Sequence, residues 1–129
     1  MVHRDIKLDN ILVHKKSPHS QGNCISDFVF KLGDMGLAKE FDNSNLTTTF
    51  AGTPLAMAPE IIHGRSYGLK ADVWSLGTLL FQILTGTHPF TGRNMKELEK
   101  NIKNGGYMIP KGIEISLNCI DFLNSCLRF

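Results

Sequence analysis

The first residues of the chain set a carboxylate, an ammonium and a side-chain amide along one short segment, Val2-His3-Arg4-Asp5-Ile6-Lys7-Leu8-Asp9-Asn10. Asp5 is suited to accept a proton, Lys7 to neutralise phosphate charge, and Asn10 to hold a hard cation through its carbonyl oxygen. That trio suits phosphoryl transfer. Apolar residues frame it: Val2 before, Ile6 and Leu8 within, Ile11-Leu12-Val13 after. A buried strand would not tolerate such a density of charge, because unpaired buried ions are costly. A fully solvated loop would not need the apolar frame. The pattern predicts a polar loop pinned at both ends to a core, with Asp5, Lys7 and Asn10 aimed at a common point.

The elements around this loop follow from local pattern. Ile11 to Val13 reads as a short strand and Phe28 to Leu32 as its returning partner. The polar stretch between them, from Lys15 to Asp27, carries Pro18 and Gly22 and reads as an extended hairpin tip. His14, His19 and Cys24 lack the spacing of a zinc site, so a solvated loop is the reading there. Gly33-Asp34-Met35-Gly36 ends the second strand, and its glycines would let the backbone turn sharply and bring Asp34 near whatever Asn10 faces. Residues 37–60 hold few core signals and many hydroxyls, Ser44, Thr47, Thr48, Thr49 and Thr53 among them. Loops of this length inside a compact domain are usually functional or disordered.

Downstream the pattern turns helical. Ala58-Pro59-Glu60-Ile61-Ile62 predicts a short helix with Pro59 in its first turn, and Ser66-Tyr67-Gly68 predicts a turn. Lys70 to Leu84, stopped by Gly86, is apolar nearly all round and predicts a buried central rod. Asp72 is its exception, an acid near the start, where the helix dipole favours it. Asn94 to Asn104 has helical spacing in Met95, Leu98 and Ile102, and Gly105-Gly106 stops it. Ser116 is placed to cap a last helix whose apolar face would be Leu117, Ile120, Leu123 or Phe122, and Leu127.

Composition excludes several classes. The 129 residues are 42% hydrophobic and 20% charged, ordinary for one globular domain. A net charge of +2 is too mild to imply nucleic-acid or membrane binding. Three cysteines, Cys24, Cys119 and Cys126, form no C-x-x-C pair and point to reduced thiols in a cytoplasmic protein. Met1 runs directly into charged residues, with no signal peptide visible. The longest apolar run, from Val73 to Leu84, is interrupted and shorter than the roughly 20 residues a membrane span requires.

Taken together the motifs resemble the eukaryotic protein kinases. His3-Arg4-Asp5, with Lys7 and Asn10 two and five residues after Asp5, is similar to their catalytic loop. Asp34-Met35-Gly36 is similar to their Asp-Phe-Gly, with Met in place of Phe. Gly52-Thr53-Pro54 followed by Ala58-Pro59-Glu60 resembles the end of their activation segment, and Asp72-Val73-Trp74-Ser75-Leu76-Gly77 their D-V-W-S-x-G helix. The resemblance implies a kinase-like C-lobe, mainly α with a small antiparallel β hairpin, over residues 1–129. It implies phosphoryl transfer from ATP to a protein hydroxyl. Asp5 would be the base, Lys7 would stabilise the moving phosphoryl, and Asn10 and Asp34 would hold Mg²⁺. Thr53 would brace Asp5 and Lys7, and Asp72 would hold the catalytic loop by hydrogen bonds to its backbone. Thr49, with Thr47 and Thr48 as alternatives, would take an activating phosphate from an upstream kinase, received by Arg4 and Lys39. Lys7 and Thr53 point to Ser/Thr rather than Tyr substrates, and the long tip at 15–27 and the string from Gly52 to Ala58 resemble the autophagy-initiating kinases.

The same resemblance marks what these residues do not contain. No Gly-rich phosphate loop, strand lysine, partner glutamate or adenine hinge is present, as expected of a fragment, a truncated gene or a degenerate copy. The arginine that ordinarily pairs with the Glu60 position is also missing, which leaves Arg128 as the substitute. Two other readings stand beside the enzyme: a kinase-derived interaction module without catalysis, and a small-molecule phosphotransferase with a similar loop. The activation-segment motifs speak against the latter.

Overall fold

In the computed structural model the chain is described at residues 2–19, 22–34 and 54–128. β-Branched and aromatic residues form the hairpin: β1, Ile11–Lys15, runs antiparallel to β2, Phe28–Leu32, with Ile11 opposite Leu32 and Lys15 opposite Phe28. A short 3-10 turn, Leu8–Asn10, leads into β1, and another, Ile25–Asp27, leads into β2. The hairpin therefore begins where the catalytic-loop motif ends.

Among the described residues four α-helices and a 3-10 turn, Pro54–Ala56, make the rest. α1, Pro59–Ile62, starts on a proline, whose missing N–H costs nothing in a first turn. α2, Leu69–Thr85, ends at Gly86, which sits in the left-handed conformation at φ 73° and donates its N–H to Gln82 O. α3, Met95–Lys103, is capped by Asn94, whose side chain accepts from Glu97 N. α4, Leu117–Cys126, is capped by Ser116 accepting from Cys119 N. The mainly α architecture with one small antiparallel hairpin is the one expected.

The core lies between α2 and the segments wrapped around it. Met57, Ala58, Ile61, Ala71, Trp74, Phe90, Leu98, Ile102 and Leu127 form one buried cluster. Trp74 stacks on Phe90 with centroids 5.6 Å apart, and Tyr107 sets its edge against Phe81 and Phe90. Gly77 lets α4 approach α2: a β-carbon there would lie 2.7 Å from Cys126 Cβ and 3.0 Å from Leu127 Cδ2. α2 carries its own hydroxyls inward by bonding them to backbone, Ser75 Oγ to Ala56 O and Thr78 Oγ1 to Ser75 O.

Two expectations about burial fail. α2 is not buried all round: Leu69, Val73, Leu76 and Ile83 recur at helical spacing on a second apolar stripe and are all exposed. The helix is apolar on two faces, and the described residues pack on one of them. On α4 the buried residues are Leu123, Cys126 and Leu127, while Leu117 is 78% exposed and Phe122 faces outward. Leu117 occupies the first turn, ahead of the point where α4 meets α2, so helical spacing alone overstated its reach. The turn expected at Ser66-Tyr67-Gly68 falls earlier, at His63-Gly64, where Gly64 has φ 68°; Gly68 is instead the residue preceding α2.

Candidate active site

The loop from His3 to Asn10 is held from beneath by one carboxylate. Asp72, in the first turn of α2, accepts the backbone N–H of His3 on Oδ2 at 2.7 Å and that of Arg4 on Oδ1 at 3.0 Å. Both donors are buried, and a charged acceptor makes such bonds stronger than neutral ones. Asp72 thus sits where the anchoring role expected of it requires. Arg4 has φ 76°, a left-handed conformation that costs an L-residue roughly 1–2 kcal/mol.

His3 ties the loop to the end of β2. Its Nδ1 accepts the N–H of Asp5 at 3.4 Å, and its Nε2 lies 3.1 Å from Gly33 O. A carbonyl can only accept, so the imidazole proton belongs on Nε2. Gly33 in turn donates its N–H to Asn10 O at 2.8 Å. The next residue, Asp34, is exposed and turns the chain at φ 55°. Of the turn expected from the flanking glycines, Gly33 has no left-handed φ and Asp34 itself takes that conformation, which Asp tolerates better than most side chains; Gly36 lies outside the described residues.

These restraints bring the sequence trio together. Asp5 Oδ2 lies 2.8 Å from Lys7 Nζ and 3.0 Å from Asn10 Nδ2, which also donates to Asp5 O at 2.7 Å. Asp5 and Asn10 are both buried, and Lys7 is about a quarter exposed. The hydrogen bond to Asp5 raises the Lys7 ammonium above the ordinary lysine value, partial desolvation opposes it, and the charges of Asp5, Asp9 and Asp34 reinforce it. Among the described residues no partner is placed on Asp5 Oδ1. With Nδ2 committed to Asp5, Asn10 retains its amide oxygen as a ligand. An amide oxygen and a carboxylate are hard donors of the kind Mg²⁺ takes alongside phosphates and water, so the donor chemistry of Asn10 and Asp34 suits that ion.

Glu60, in α1, is brought beside Arg128 but not into contact. Both line a cavity of about 490 Å³ with His63, Arg65 and Lys103, and no ion pair joins them among the described residues. Arg128 is exposed, so the expected substitute pairing does not form. The polar contacts in this region run instead from His63 Nε2 to Glu99 Oε1 at 2.7 Å and from Lys103 to the same oxygen at 2.8 Å. Met35, Gly36, Lys39, Ser44, Thr47, Thr48, Thr49, Gly52 and Thr53 lie outside the described residues. Sequence pattern missed Tyr67, whose hydroxyl donates to Asp72 Oδ1 at 3.1 Å and whose ring lies 5.4 Å from the Arg4 guanidinium carbon. Nothing in the dipeptide Tyr67-Gly68 separates that contact from a plain turn.

With the Asp5 carboxylate flanked by an ammonium and an amide, the chain belongs to the protein kinase domain family, whose model matches residues 1–129. Several of its relatives are named serine/threonine-protein kinases. It is 38% identical over 130 residues to serine/threonine-protein kinase ATG1a of Arabidopsis thaliana, covering 98% of this chain and 20% of that protein. It is 36% identical to serine/threonine-protein kinase atg1 of Dictyostelium discoideum, covering 99% of this chain and 18% of the relative. Protein kinase 2 of Dictyostelium discoideum is 41% identical over 111 residues, 85% of this chain and 21% of that protein. The chain spans about a fifth of the length of these curated relatives. Among the described residues no helix is long and apolar enough to cross a membrane, and no group of three or more His, Cys, Asp or Glu side chains could hold a metal ion.

Proposed function

We infer that the chain is the C-lobe part of a protein serine/threonine kinase domain, serving transfer of the γ-phosphoryl of ATP to a Ser or Thr hydroxyl of a protein. The observation that carries this reading is the convergence of Lys7 Nζ and Asn10 Nδ2 on Asp5 Oδ2, with no partner on Oδ1 among the described residues. On this reading Asp5 orients the hydroxyl and takes its proton at Oδ1. Lys7 holds positive charge beside the moving phosphoryl, and its hydrogen bond to Asp5 further favours the charged form. Asn10 and Asp34 would hold Mg²⁺, which supplies charge neutralisation for the phosphates when bound. Thr53 as a brace, and Thr49 with Arg4 and Lys39 as a phosphate switch set by an upstream kinase, remain part of the proposal on the strength of sequence motif. So does a cytoplasmic setting, which the free thiols of Cys24, Cys119 and Cys126 suit.

The test is phosphate transfer from labelled ATP to a Ser/Thr-containing protein by the full-length protein and by its Asp5→Ala variant. Loss of a general base removes about 10²–10⁴ in rate. Near-normal turnover of Asp5→Ala with unchanged circular dichroism would overturn the reading. A second reading, an interaction module derived from a kinase, draws on the absence of a Gly-rich loop and a strand lysine from these 129 residues. Calorimetric titration of the chain with ATP separates the two: Mg²⁺-dependent binding favours the enzyme, and its absence favours the module.

A further inference from the structure

Asp72 and Tyr67 together engage the loop at the residue where its backbone is most unusual. The Tyr67 hydroxyl and the Arg4 N–H both donate to Asp72 Oδ1, at 3.1 and 3.0 Å, while Oδ2 takes the N–H of His3. Arg4, which turns the chain at φ 76°, also lays its guanidinium over the Tyr67 ring at 5.4 Å. A carboxylate rotates easily about its last torsion. Two backbone bonds fix its plane only while the loop itself is in place. A third donor, from a ring packed outside the loop, fixes that plane independently. Burial holds the phenol proton on well beyond the ordinary tyrosine range, and the negative charge of Asp72 adds to this, so Tyr67 stays a donor wherever the chain is folded.

We propose that Tyr67 is a positioning residue for the catalytic loop: its hydroxyl sets the plane of the Asp72 carboxylate and its ring seats Arg4, so that the left-handed turn at Arg4 delivers Asp5 to Lys7 and Asn10. The role of Asp5 as base is the reading on which its importance rests, but the geometry is testable without turnover. Tyr67→Phe removes the hydroxyl and keeps the ring; Tyr67→Leu removes both. Amide hydrogen exchange on the full chain reads the two bonds to Asp72 directly, and NMR titration of the Lys7 side chain reads the alignment of Asp5.

Tyr67→Phe is expected to speed exchange at Arg4 about tenfold, the equivalent of one ordinary hydrogen bond, with amides in α3 and α4 unchanged. Tyr67→Leu is expected to speed exchange at both His3 and Arg4 and to bring the Lys7 titration down toward the ordinary lysine value, a shift that Tyr67→Phe largely spares. Unchanged exchange at Arg4 in Tyr67→Phe would overturn the proposal. So would a uniform rise across all helices, which would make Tyr67 a packing residue only. If Tyr67→Leu does not fold, the Tyr67→Phe exchange pattern decides alone. The expected exchange pattern in a protein that transfers no phosphate would support the positioning role while removing the enzymatic reading.

Discussion

The loop at His3–Asn10, through His3, Arg4, Asp5 and Asn10, and the seam between α2 and α4 both bury their fastening residues, yet they are held by opposite means. The loop is fastened by hydrogen bonds to charged or partly charged groups, with Asp72, His3 and Asn10 each serving two or more partners. The seam is fastened by shape: Gly77 against Cys126 and Leu127 leaves no room for one more carbon. Polar fastening fixes direction, because a hydrogen bond weakens steeply when misaligned. Apolar packing fixes distance and tolerates rotation. The site needs direction for Asp5, and the base of the fold needs only close approach. The difference teaches that removing a partner should harm the loop, whereas adding volume should harm the seam.

The largest effect expected from that contrast is at Asp72. Asp72→Ala strands two buried backbone N–H groups and the Tyr67 hydroxyl, and hydrogen bonds to charged groups contribute about 1.5–3 kcal/mol each. A loss of about 3–5 kcal/mol is expected in urea unfolding, and a loss below about 1 kcal/mol would show that the loop does not depend on this acid. Gly77→Val should cost about 1–3 kcal/mol by overpacking, in the same assay. A Gly77→Val variant as stable as wild type would mean that α4 can move away freely, and the contrast would fail. Ser75→Ala removes the bond to Ala56 O and should cost about 1 kcal/mol, small because the cavity it leaves is slight.

The smallest expected effects are in pH dependence, and they have opposite signs in two places. Lys7 is raised in the folded chain by Asp5, so its contribution is complete below the unfolded lysine value of 10.5 and disappears as pH climbs through the raised folded value. Glu99 is lowered chiefly by its hydrogen bond to Lys103, with the Lys103 and His63 charges adding, so its contribution is present above 4.5 and disappears as pH falls through the lowered folded value. Lys103→Gln should bring the Glu99 titration, followed by carbon-13 NMR, back up toward 4.5, and Asp5→Asn should bring that of Lys7 down toward 10.5. A Lys7 titration unmoved by Asp5→Asn would separate the two side chains in solution and undercut the loop half of the contrast.

Sequence pattern foretold the loop and the elements well, because both rest on local signals. Asn94 and Ser116 act as caps, Gly86 and Gly105 adopt the left-handed conformation that stops helices, and the hairpin pairs Ile11–Lys15 with Phe28–Leu32. Asp5, Lys7 and Asn10 lie within six residues, so their convergence needs only one loop conformation. What pattern could not supply is the side of an apolar helix left open. Leu69, Val73, Leu76 and Ile83 are as apolar as Trp74 and Phe81, and only tertiary packing tells the two stripes apart. Tyr67 was illegible for a related reason. Its contact with Arg4 spans the length from the catalytic loop to the start of α2, and no spacing rule reaches that far.

Gly33 takes the proton of His3 on its carbonyl and gives its own N–H to Asn10 O, one residue before Asp34. Mechanically it is a linchpin between two parts of the candidate site, the loop that carries Asp5 and the turn that carries Asp34. A displacement of Asp34 large enough to pull Gly33 out of place would strain a bond to each end of that loop together. The two halves of the candidate site therefore share one backbone residue as their common fastening.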